Sequence, residues 1–227
     1  MIKYIKEHKY LLWLIYVPIY LVGFFGMEKI ITNDTPFFST VLPIDSLIPF
    51  CEWFVIPYFL WYPFMAVVGF YLLFTDRRAL SRYVCFMAIG FSFCIIFCLL
   101  FPNGTAADFR PNIAELGRSN IATWILENFI WANDTYTNVI PSMHVAGSFM
   151  AMFGFFDSKL AKNKWLGVLT CFVTFLITIS TVFTKQHAVM DVIAGLLLSI
   201  VNYFLVYVLF RGIMDKKYAK KNITSKN

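Results

Sequence analysis

Apolar positions along the chain gather into six runs, at about 10–31, 54–74, 83–101, 142–160, 165–184 and 188–210. Each is long enough to cross, or nearly cross, a hydrocarbon core of roughly 30 Å. The pattern predicts an all-α membrane protein of six transmembrane helices with both termini on the same side. The fourth run is short and carries Gly147, Ser148 and Gly154, small residues suited to close packing between membrane helices. The first follows Lys3, Lys6 and Lys9 as a secretory signal would. It is longer than a signal's apolar segment and no small-x-small cleavage site follows, so it reads as an uncleaved span.

Polar residues orient these runs. Of nineteen Lys and Arg, fifteen lie in the N-terminal tail, the 76–82 turn, the 159–164 turn and the tail from Arg211 onward. Only Lys29, Arg110, Arg118 and Lys185 fall on the opposite face. The positive-inside rule therefore predicts cytoplasmic termini in a multi-pass protein of the cell membrane. Two longer connections, 32–53 and 102–141, face outward. Within the second, residues 120–132 mix Ile121, Trp124, Ile125, Phe129 and Trp131 with Glu127 and Asn128. That mixture suits a helix at the membrane interface, or a packed cap over the bundle.

Composition agrees with lipid as solvent: 59% of the 227 residues are hydrophobic and 14% charged. No linker, repeat or low-complexity tract divides the chain, which reads as a single integral membrane domain over 1–227. A net charge of +6 confined to the turns and tails expresses topology and excludes a nucleic-acid surface. The five cysteines form neither a disulfide framework nor a zinc spacing. Asn103 and Asn133 head glycosylation sequons on the outer face, relevant only in a eukaryotic secretory pathway.

Candidate chemistry lies where this topology puts the outer face. His144 and His187, two of the chain's three histidines, stand at the outer ends of the fourth and sixth runs, while His8 lies in the N-terminal tail. Asp191 follows His187 by four residues, one helical turn, so its carboxylate can orient the imidazole and leave the second ring nitrogen free. It heads an apolar run in which an unpaired carboxylate would be costly. The alternative is a structural His–Asp pair tying helices together. Pro141-Ser142-Met143-His144 opens the fourth run with Pro at the expected first helical position, a helix N-terminus suited to an anion. An ordinary capped helix start is the alternative. Arg110, beside Pro111 in the outer connection, could fork two hydrogen bonds onto a phosphate, although a solvated loop Arg is the commoner arrangement. Its weight comes from sharing one face with both histidines.

Together these residues resemble the type 2 phosphatidic acid phosphatase superfamily of membrane lipid phosphatases, whose motifs are K-x6-R-P, P-S-G-H and S-R-x5-H-x3-D. Here they take the forms Asn103-x6-Arg110-Pro111, Pro141-Ser142-Met143-His144 and Ser180-Thr181-x5-His187-x3-Asp191. The resemblance covers about 83–210. It implies a His187 nucleophile oriented by Asp191, His144 as the acid for the leaving oxygen, and Arg110 with Ser142 holding the phosphoryl group, with no metal or other cofactor. Asn103 and Thr181 replace two motif cations, and Lys185, two residues before His187, is the candidate substitute. It could equally snorkel to lipid headgroups. The variant is similar to bacterial members of the inositol-phosphoceramide-synthase type. The implied activity is hydrolysis of a phosphorylated membrane lipid at the outer leaflet, with phosphatidate, phosphatidylglycerophosphate or polyprenyl pyrophosphate as candidates. A head-group phosphotransferase and a catalytically silent lipid-binding protein are the alternatives.

Overall fold

The computed structural model describes residues 15–215, so His8 and most of the basic tails lie outside the described residues. The main helices are α1 (Tyr16–Ile30), α2 (Val55–Thr75), α3 (Arg77–Leu100), the short α4 (Ile121–Ile125), α5 (Met143–Phe156), α6 (Lys164–Phe183) and α7 (Val189–Tyr203). Both α4 and α7 continue as π-turns, over Leu126–Ile130 and Phe204–Leu209. Helix starts follow side-chain chemistry. Asp76 caps α3 by accepting from the Arg78 and Ala79 amides, and Asn163 caps α6 by accepting from Trp165 and Leu166.

Four helical stretches among the described residues are long and apolar enough to cross a membrane: Glu52–Thr75, Arg77–Leu100, Lys164–Phe183 and Val189–Leu209. They correspond to the second, third, fifth and sixth apolar runs, and the architecture is that of an all-α membrane protein. Their outward faces carry large apolar side chains such as Phe70, Phe93, Trp165, Phe172 and Leu197. α1 has 15 described residues, because the run assigned to it begins outside them.

The fourth run departs from expectation. α5 has 14 residues, about 21 Å of helix, and starts at Met143. Its length is tolerated because it packs against α2, α3, α6 and α7 at the centre of the bundle, where protein replaces lipid. Small residues allow that enclosure. A Cβ on Gly147 would stand 2.6 Å from Trp61 Nε1 and Met65 Sδ, and one on Gly154 would stand 2.6 Å from the Tyr83 ring.

The two ends of the bundle are built differently. At one end the 32–53 and 102–141 connections interlock through a parallel pairing of β1 (Phe38–Ser39) with β2 (Asn103–Gly104). Glu28 of α1 accepts from Thr135 Oγ1 at 2.7 Å and Asn138 Nδ2 at 2.9 Å, drawing the second connection down onto the bundle. α4 and its π-turn lie over α2, burying Ala122, Leu126 and Ile130 against Val55 and Tyr58 while Ile121, Trp124 and Phe129 point outward. The segment is therefore a packed cap that also presents an apolar outer face. At the other end Arg82 of α3 pairs with Asp157 and Asp215, both at 2.6 Å.

Candidate active site

The turn between α6 and α7 is closed by the Thr181 carbonyl, which accepts from the Gln186 and His187 amides at 3.1 and 3.0 Å. Lys185 adopts φ 56° within it, a left-handed conformation that a non-glycine residue holds only when its surroundings insist. Here its ammonium donates to the carbonyls of Asp45 at 2.9 Å and Ile48 at 2.7 Å and lies over the Phe109 ring at 5.1 Å. Asp45, buried at the neighbouring turn, caps α7 from outside by accepting from the Val189 amide at 2.8 Å. His187 and Asp191 are thus held by a frame that reaches across to the first connection.

His187 Nδ1 lies 3.4 Å from Asp191 Oδ2, longer than a tight hydrogen bond, a spacing common in catalytic pairs before substrate arrives. The same carboxylate oxygen accepts from the Ala188 amide at 2.8 Å, and Asp191 is fully buried. Those two contacts fix the carboxylate in the first turn of α7, while His187 lies in the turn two residues before Val189 and not on the helix face that the four-residue spacing implied.

α5 starts two residues later than the expected Pro141, at Met143. Ser142 is its N-cap, with Oγ accepting from the Val145 amide, and Pro141 stands outside the helix. The reason is that a serine hydroxyl satisfies a first-turn amide, which proline cannot. Ser142 is fully buried, and its amide donates to the Asp191 carbonyl at 3.1 Å. This backbone bond joins α5 to α7, and Gly195 permits the approach: a Cβ there would lie 2.9 Å from the Ser142 carbonyl oxygen. As a result the His144 and His187 rings come to 5.9 Å between centroids, inclined at 61°.

His144 is held between aromatic rings, stacked on Tyr58 at 4.2 Å and tilted against Trp61 at 4.5 Å. Its Nδ1 faces the Tyr58 hydroxyl at 3.5 Å, and its buried Nε2 has no hydrogen-bond partner among the described residues. Tyr58 Oη donates to Asp134 Oδ2 at 3.2 Å, and Gln186 Nε2 donates to the same oxygen at 3.2 Å. Arg110 donates to the carbonyls of Asp134 at 3.1 Å and Thr135 at 2.9 Å, with its guanidinium 5.9 Å from the Trp131 ring centre. Arg110 therefore reaches the histidines through Asp134. Burial pushes the Asp134 carboxyl above its ordinary value, while Tyr58, Arg110, His187 and Gln186 draw it back. Burial likewise lowers Arg110 and Lys185.

Of the residues singled out in the sequence, His187, Asp191, His144 and Ser142 meet directly, and Arg110 adjoins them. Lys185, the candidate substitute for the missing motif cations, sends its side chain from the α6–α7 turn toward the Pro43–Leu47 turn, where two carbonyls hold its charge. Asn103, at the position of the missing motif lysine, is fully buried and organises the approach to Ser142. Its Oδ1 accepts from the Val139 and Ile140 amides, both at 2.9 Å. That burial also removes the first sequon from solvent. Tyr58, Asp134 and Gln186 escaped the sequence reading. Gln186 had the signal of adjacency to His187, whereas Tyr58 is one aromatic residue among many in an apolar run.

The arrangement can support nucleophilic and acid–base chemistry at one place. It holds an imidazole backed by a carboxylate, a second imidazole with an unpartnered nitrogen, an adjacent guanidinium and a helix start. No curated protein and no solved structure matched the chain. The family model described as the PAP2 superfamily matches residues 47–205, which contain the positions from Asn103 through Arg110, His144 and His187 to Asp191 and leave out α1. With the match running through most of the chain and all of the site, the protein belongs to the PAP2 superfamily.

Proposed function

We propose that the protein is a lipid-phosphate phosphohydrolase of the cell membrane, working at the outer leaflet with six spans and cytoplasmic termini. The observation that carries the reading is the meeting of His187, Asp191 and His144, from helices far apart in sequence, at the end of the bundle bearing the two long connections. Superfamily membership supports phosphatase-type chemistry, and the apolar helices support a substrate drawn from the bilayer.

In this reading the nitrogen of His187 that faces away from Asp191 attacks phosphorus as the P–O bond to the lipid breaks. His144 Nε2–H donates its proton to the departing oxygen. Water then attacks the phosphohistidine, His144 takes the water's proton, and the P–N bond breaks to release phosphate. Dividing the displacement in this way lowers the barrier of each half. Arg110 and the first turn of α5, capped by Ser142, offset charge on the transferring oxygens. Lys185 acts through the loop it holds. Phosphatidate, phosphatidylglycerophosphate and polyprenyl pyrophosphate are the substrates to test.

Purified protein in detergent should release vanadate-sensitive phosphate from one of these lipids, and His187→Ala should abolish that release while the protein remains folded. Near-normal turnover in His187→Ala would rule the mechanism out. Adding an acceptor alcohol, and looking for a transferred phosphoester in place of free phosphate, distinguishes hydrolase from transferase. For topology, a cysteine introduced at Asn112 should react with an impermeant thiol reagent on intact cells, whereas one at Lys162 should not.

A further inference from the structure

Two histidines share this site, each with a carboxylate nearby, but the carboxylates stand at different removes. Asp191 is at ion-pair distance from His187, while Asp134 reaches His144 only through the Tyr58 hydroxyl. We propose that Tyr58 and Asp134 are positioning residues for His144, fixing its proton on Nδ1 and turning Nε2 toward the leaving oxygen. The proposal rests on the reading of His144 as the acid.

The proton count forces the direction of this chain. An ionised carboxylate can only accept, so the single Tyr58 proton goes to Asp134 Oδ2. The phenolic oxygen then has lone pairs left for His144 Nδ1–H, the atom that faces it at 3.5 Å. A neutral ring protonated at Nδ1 leaves the Nε2 lone pair free to take a proton, and the protonated ring donates from Nε2. That nitrogen is the one buried without a hydrogen-bond partner among the described residues, on the ring that faces His187. At 3.5 Å the Tyr58 contact is long, and it tightens as positive charge develops on the imidazole.

Two further features single out Asp134. Arg110 donates to the backbone carbonyls of Asp134 and Thr135, which leaves the carboxylate to the phenol and the Gln186 amide. The neighbouring Thr135 and Asn138 are anchored on Glu28 of α1, so the loop that presents Asp134 is pinned to the bundle. Tyr58 is 1% exposed and stacked on the ring it orients, so neither partner can turn away without disturbing α2.

The test uses leaving groups. An acid matters when the departing oxygen is a poor leaving group and hardly at all when it is a good one. Full-length Tyr58→Phe and Asp134→Asn should each lower kcat/KM, which reports the first phosphoryl transfer and not the later hydrolysis of the phosphohistidine, by about 10- to 100-fold on a long-chain alkyl phosphate, part of what general acid catalysis supplies. Both should change kcat/KM on a nitrophenyl phosphate by less than about threefold, and Asp134→Glu should recover part of the loss. In His144→Ala the Tyr58→Phe change should add nothing on the alkyl substrate. Equal losses on the two substrates, or no loss on either, overturn the proposal. A readout independent of turnover is the 15N spectrum of histidine-labelled protein. Nδ1 of His144 should carry the proton in the wild type and lose that preference in Tyr58→Phe or, where that variant misfolds, in Asp134→Asn; a bare Nδ1 in the neutral wild-type ring overturns the relay. Failure of the parent reading is recognised separately, by turnover that survives His187→Ala, and the acid role of His144 falls with it.

Discussion

The two ends of the helix bundle treat buried polar groups in opposite ways. At the end that carries the basic turns, Arg82 is engaged from two sides, Nε on Asp157 and Nη1 on Asp215, each at 2.6 Å. At the histidine end, His144 Nε2, His187 Nδ1, Asp191 Oδ1, Gln186 Oε1 and Arg110 Nε are all buried without a hydrogen-bond partner among the described residues. An unmet buried polar atom is costly, and natural structures carry few of them. The unmet atoms concentrate beside the two imidazoles, whereas at the other end, where the buried Tyr207 hydroxyl is also without a partner among the described residues, the two ion pairs of Arg82 fasten three segments together. Stability at the basic end and reactivity at the histidine end should therefore respond to different substitutions.

The largest effect that would sharpen this contrast is Asp191→Asn. The amide can still accept from the Ala188 amide, so α7 keeps its first turn, but His187 loses the charge that sets its tautomer and steadies its cation. By analogy with other aspartate–histidine pairs, kcat should fall by about four orders of magnitude with little change in Tm. A comparable fall in Tm would mean that Asp191 is a structural tie. Next comes Arg82→Met, which leaves Asp157 buried without its counter-charge and should cost about 3 kcal/mol of stability. It is read as a lowered Tm, with turnover per folded molecule unchanged. Lost turnover at constant Tm would break the division between the ends.

The smallest effect belongs to Lys185→Met. Its ammonium holds two carbonyls of the first connection, and each charge-assisted hydrogen bond contributes about 1.5–3 kcal/mol at most. Tm should drop by several degrees while kcat/KM changes by less than about tenfold. A hundredfold loss of kcat/KM at unchanged Tm would instead put the ammonium on the substrate in place of the cation missing at Thr181.

Much of this was legible in the chain. Run length picks out the four helical stretches that are long and apolar enough to cross a membrane, because lipid demands an unbroken apolar surface over a set distance and the backbone must satisfy itself within each segment. The proximity of His187 and Asp191 was legible from their spacing, but the helix face that spacing implied was not: His187 lies in the turn before α7, and Asp191 reaches back to it from the first helical turn as a capping side chain does. The confinement of Lys and Arg to particular turns anticipated that His144, His187 and Arg110 would share one end of the bundle. The length of α5 was harder to read, since its apolar run does not reveal that other helices surround it on several sides.

What only the tertiary structure decided depends on contacts between distant segments. Tyr58 meets His144 across 86 positions and Asp134 across 76, and Lys185 reaches Asp45 across 140. Composition and spacing carry no information on such distances, because packing sets them: Gly195 lets α7 close on the start of α5, Glu28 draws down the loop bearing Asp134, and the left-handed turn at Lys185 leads its side chain to the first connection. Asn103 shows the same limit. By itself the sequence marked a missing cation there, whereas the fold has made it a buried amide holding the approach to His144, because its side chain matches the two backbone amides that packing brings to it.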